Sequence, residues 1–86
     1  MHALSIPERW IVAPTVGVFR STFDHDRVDG RTVEIGQTVG VIDGWGTSTA
    51  VCSPFRGVLA GMLACDGERL RQGEPVAWLR VTRPET

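Results

Sequence analysis

One pattern occurs twice in this chain. Asp29-Gly30, Gly36 and Val39 recur as Asp66-Gly67, Gly73 and Val76, all at a single offset of 37 positions. Within 86 residues, such a repeat constrains the fold more than any other feature. Neither unit is long enough to bury its own apolar face, so each must cover the other. Between the copies lies Val41-Ile42-Asp43-Gly44-Trp45-Gly46-Thr47-Ser48-Thr49-Ala50-Val51. Its β-branched flanks and Gly-Trp-Gly centre read as strand, tight turn, strand. The expectation is an all-β fold of two half-units related by a pseudo-two-fold axis, with this hairpin at one end.

The remaining elements follow from short apolar runs separated by the ten Gly and five Pro. Strands are expected at 10–13, 16–20, 31–34, 38–42, 49–52, 58–64, 69–71 and 75–81. Turns fall at Ile35-Gly36-Gln37, at Ser53 to Gly57 around a buried Phe55, at Asp66-Gly67 and at Gln72-Gly73. No helix of useful length is visible. Gly17 and Gly57 correspond, but Gly17 lies twelve positions before Asp29 and Gly57 nine before Asp66. The first half therefore carries three extra residues somewhere in Ser21 to Arg27. An insertion in an otherwise symmetric scaffold is a candidate functional loop. Residues 1–9 are expected to form a polar leader, 10–82 the domain and 83–86 a tail.

The layout, together with Gly36, Phe55-Arg56-Gly57-Val58, Gly67, Glu74-Pro75 and the entry strand Ala13-Pro14-Thr15-Val16-Gly17-Val18-Phe19, resembles the biotinyl/lipoyl attachment domain. The biotin carboxyl carrier type is the nearest likeness, over roughly residues 12–81. The resemblance implies a flattened β-barrel, or barrel-sandwich, with its central hairpin at Asp43–Thr47. In that family the hairpin carries Glu-Ala-Met-Lys-Met, and the lysine takes the biotin. Aligned without gaps from Val33 to Val81, Asp43 falls at the Glu, Gly44 at the Ala and Trp45 at the first Met. Gly46 then stands at the lysine and Thr47 at the second Met. The inserted segment, with Phe23 and His25, lies where some biotin carriers have a protruding loop that contacts biotin.

Composition sharpens this departure. All nine basic residues are Arg, and the sequence contains no lysine. A biotinyl or lipoyl amide needs a side-chain amine, and a guanidinium stays protonated and is not nucleophilic. No covalently attached biotin or lipoate is expected.

One small domain of this size should be only modestly stable, by about 5 kcal/mol. A net charge of −1 with mixed signs argues for neither nucleic acid nor an anionic membrane. No apolar run approaches the ~18 residues of a membrane span. The first ten residues lack the basic and apolar regions of a secretory signal, so the cytoplasm is the expected compartment. Cys52 and Cys65 are then read as free, partly buried packing thiols, with a disulfide or a reactive thiol as alternatives.

Trp45 is the most informative side chain. Between two glycines it either contacts a partner or flat ligand, or folds back over the adjoining strands. Asp43 either ends its strand by accepting backbone bonds or acts as a general base. Thr47, Ser48 and Thr49 need no explanation beyond strand propensity. His25, between Asp24 and Asp26, would be a carboxylate-held base, a fragment of a metal site, or part of a solvated acidic loop; no metal site is expected. Arg27, Arg31 and Arg56 would form an anion site or simply decorate the surface.

Two functional classes follow. The first is a docking or binding module that uses its hairpin tip (Asp43, Trp45, Gly46, Thr47) on a carboxylase-type or biosynthetic protein partner. The second is a catalyst or binder of a small acyl or polyketide-type ligand, its site built from Asp43, Trp45, His25, Phe23 and Cys52. A structural fragment of a larger protein is a third possibility. No phosphate loop or nucleophile-plus-base motif supports catalysis directly, and oligomeric state is left open.

Overall fold

The computed structural model describes residues 8–22 and 30–81. Within them the chain forms eight strands: β1 (Glu8–Val12), β2 (Gly17–Ser21), β3 (Thr32–Val33), β4 (Thr38–Asp43), β5 (Ser48–Cys52), β6 (Gly57–Met62), β7 (Arg69–Leu70) and β8 (Pro75–Arg80). There is no helix among the described residues. The strands make two four-stranded antiparallel sheets, β1-β8-β6-β3 and β5-β4-β2-β7. This is a flattened barrel-sandwich. Strand β1 begins at Glu8, two residues before the expected start, because Glu8 and Arg9 pair with Arg80 and Leu79.

The sequence repeat is a structural one. Exchanging β1 with β5, β2 with β6, β3 with β7 and β4 with β8 turns one sheet order into the other. Backbone hydrogen bonds obey the same exchange. Ser53 N–H donates to the Gln37 carbonyl at 2.9 Å, and Ala13 N–H to the Glu74 carbonyl at 2.8 Å. Gly36 N–H reaches the Ser53 carbonyl at 2.7 Å, and Gly73 N–H the Ala13 carbonyl at 2.8 Å. Even a side-chain bond is repeated. Gln37 Oε1 accepts from Glu34 N–H at 2.9 Å, as Glu74 Oε1 does from Arg71 N–H at 2.6 Å. In each half a bulge leaves one valine, Val39 or Val76, out of register, so that it and the next residue are both buried.

Alternation along the strands directs Ile11, Phe19, Val33, Ile42, Val51, Leu59, Leu70 and Leu79 into one core between the sheets. Two equivalent glycines let the backbones close on each other. A Cβ on Gly17 would lie 2.5 Å from the Asp43 carbonyl oxygen, and one on Gly57 2.6 Å from that of Arg80. Only a residue without a side chain fits at either crossing.

Three expectations need correction. Phe55 is only partly buried, packed at the edge of the core. Cys52 and Cys65 are free as expected but exposed rather than partly buried. Strand β6 also contains an unmatched bulge between Leu59 and Gly61. Equivalent strand ends are therefore Ser21 and Met62, eight positions before Asp29 and four before Asp66. The connection in the first half is longer by four residues, not three.

Candidate functional site

The hairpin joins β4 to β5 through residues 44–47, closed by a 2.9 Å bond from Gly44 N–H to the Thr47 carbonyl. Gly46 supplies the left-handed step, at φ 68°. With glycine on both sides and no strand beyond the turn, nothing shelters the indole between them: Trp45 is 97% exposed. Of the two readings of this residue, the folded-back one is excluded.

Strand register places a row of side chains across the outer face of the β5-β4-β2-β7 sheet, just below the tip. Ser48 pairs with Asp43, Asp43 with Val18, and Val18 with Arg69. Directly opposed residues share a face. Asp43 does more than end its strand. Its carboxylate accepts Arg20 Nε at 3.0 Å and Nη2 at 3.3 Å, and Ser48 Oγ at 2.7 Å. The Arg20 hydrogen bonds, and then that of Ser48, hold the carboxyl below its usual range, while the same pair raises the Arg20 guanidinium. A carboxylate stabilised in this way is a poor general base. Ser48, which strand propensity alone seemed to explain, is thus part of the network.

An open cleft of about 430 Å³ adjoins the tip. The turn before β2 contributes Val16, β2 contributes Val18, the tip contributes Trp45 and Gly46, and β7 contributes Arg69. Val16 is 52% and Val18 37% exposed. Asp43 closes the far side. Sequence reading found Asp43, Trp45 and Gly46 but missed Val16, Val18 and Arg69. The signal existed in principle: the 37-residue offset equates Arg69 with Thr32, so a charge appears in one half only. Its proximity to the tip, however, comes from the pairing of β7 with β2.

Other candidates do not join this group. Cys52 is at the opposite end of β5, four residues or about 13 Å from Ser48, with its sulfur 3.7 Å from Thr38 Oγ1. Arg56 pairs with Glu34 at 3.2 Å, away from the tip. Thr47 is in the turn and exposed. Phe23, His25 and Arg27 lie outside the described residues, as does most of the inserted segment.

No protein-family model and no curated protein matches this chain. Solved structures do. One of them, a single-chain, multi-domain long-chain acyl-CoA carboxylase, superposes with a TM-score of 0.76 over 95% of this chain at 16% sequence identity. The chain spans 8% of that carboxylase. The likeness is one of fold, and it agrees with the barrel-sandwich architecture expected from the sequence.

Proposed function

We propose that this chain is a carrier-like domain that carries no group and acts as a docking module through its hairpin tip. The observation that carries the reading is Trp45. A large aromatic side chain held almost wholly in solvent, on a short turn braced by the Arg20–Asp43–Ser48 network, is placed to anchor a partner surface. Gly46 stands at the position the family resemblance gives to the modified lysine, and the sequence contains no lysine to replace it. Biotin and lipoate are therefore absent from the proposed function. The carboxylase likeness makes carboxylase-type enzymes the first partners to test. Catalysis is disfavoured because Asp43 is already committed to Arg20 and Ser48.

The experiment is a binding titration of the purified chain against biotin carboxylase, carboxyltransferase and biotin ligase. Capture by one of them should weaken by about 1–3 kcal/mol in Trp45→Ala, with little change in melting temperature. Binding that is indifferent to Trp45 would overturn the tip as the docking element. Intact mass after expression with active biotin and lipoate ligases should show no adduct. The triple variant Trp45→Met, Gly46→Lys, Thr47→Met should accept biotin weakly. Gly46→Lys alone should do so less well, because Trp45 and Thr47 then flank the lysine in place of the two methionines. In both variants the side chain at this positive φ costs about 1 kcal/mol of stability.

A further inference from the structure

We propose that the cleft beside the hairpin tip is a non-covalent binding site for an aliphatic carboxylate, anchored at Arg69 and lined by Val18, Val16 and the Trp45 indole. The site extends beyond the docking function and does not depend on it.

The argument begins with an asymmetry of charge. Along the row Asp43–Val18–Arg69 the two ionic ends are about 10 Å apart, two strand spacings across the sheet. They are not equivalent. Asp43 is neutralised by Arg20 and capped by Ser48, whereas Arg69 makes no ion pair among the described residues. Among the described residues the cleft thus presents one guanidinium without an ion-pair partner, a group whose planar fork matches a carboxylate with two parallel hydrogen bonds.

The second observation is what lies between the ends. Val16 and Val18 face solvent across the floor, and the indole of Trp45 stands at the tip side. Isolated exposed apolar residues are ordinary, but these three line a single cleft, and its volume lies within the range of small-ligand sites. Arg69 at one edge and the apolar group beyond it specify an amphiphilic anion, with its head at β7 and its aliphatic chain directed across Val18 toward the tip. Asp43 at the far side disfavours a second negative charge there. A monocarboxylate is the matching class; a dicarboxylate, whose second charge would fall beside Asp43, is not.

The test is an NMR titration of the isotopically labelled chain with octanoate, octanol and octylammonium. Octanoate should shift the Val16, Val18 and Gly46 amides and the Trp45 indole N–H saturably. It should bind at least about tenfold more tightly than octanol, which lacks the charge-assisted bonds, while octylammonium should bind least. Arg69→Gln should remove the preference for octanoate over octanol, and Val18→Thr should weaken both ligands. Arg71→Gln, also exposed but not part of the cleft, should change neither. Spectral dispersion reports directly whether each variant is folded. Equal affinity for octanoate and octanol in the wild type would overturn the proposal, as would a preference that survives Arg69→Gln. Shifts centred on Trp10 and Trp78, on the other sheet, would do the same. Failure here leaves the Trp45-dependent capture of a protein partner intact, so the two ideas fall separately.

Discussion

The two half-units share a backbone plan and differ in what they attach to it. In the core the first half has Phe19 facing Gly40, where a Cβ would meet the ring at 2.4 Å. The second half has Leu59 and Ala77 at the same positions. A larger residue on one strand is matched by a smaller one on its neighbour, so each pair fills a similar space. On the outer faces no such compensation is needed, and the halves diverge freely. The row Ser48–Asp43–Val18–Arg69 corresponds to Glu8–Arg80–Val58–Thr32. An acid becomes a base, and the Arg69 guanidinium becomes a hydroxyl. One row further along, Arg20 corresponds to Gly61, over which Trp78 lies with Arg80 stacked at 5.6 Å from its ring. Repeated turns dictate the backbone, close packing couples the core residues, and only the solvent-facing chemistry is at liberty to make one end a site.

The core comparison can be broken most severely at Gly40. Gly40→Ala should destabilise by about 2 kcal/mol through overpacking against Phe19 and the Arg20 carbonyl, measured by denaturant unfolding. Adding Phe19→Leu converts the pair to the chemistry of the second half. The double variant should recover at least about 1 kcal/mol relative to additivity. Additive losses would mean that the two cores are packed by different rules.

The aromatic outer face should matter less, but measurably. Trp78→Ala removes a half-buried ring from Gly61 and Arg80 and should cost about 1–2 kcal/mol. Trp45→Ala, on the other outer face, should stay within about 0.5 kcal/mol of wild type. Equal costs would erase the distinction between a packed and a presented tryptophan.

The charged row is tested by pH. Arg20 holds the Asp43 carboxyl low, so the stabilisation is complete above the unfolded value of about 3.9. It is lost as pH falls through the lower folded value. In an NMR titration the Asp43 midpoint should rise in Arg20→Ala and, by less, in Ser48→Ala, following the order of the two causes. A midpoint unmoved by Arg20→Ala would separate Asp43 from its bridge. The effect on global stability should be the smallest of the set, because both side chains are more than a third exposed to solvent.

Much of this was legible in the residues. Equal spacing of Asp-Gly, Gly and Val turns dictated two like units, because positive-φ glycines at Gly30, Gly36, Gly67 and Gly73 impose the same turns wherever they recur. Period-two alternation assigned the buried face of each strand, and the sequence alone removes any lysine as an attachment point. Tertiary structure decided what lies beside what. That Arg69 enters a cleft with Trp45 depends on the pairing of β2 with β4 and β7. That Asp43 is bridged to Arg20, twenty-three positions away, depends on the same register. Cross-strand neighbours are set by the hydrogen-bond ladder, which joins residues remote in sequence, and local pattern contains no record of that partner choice.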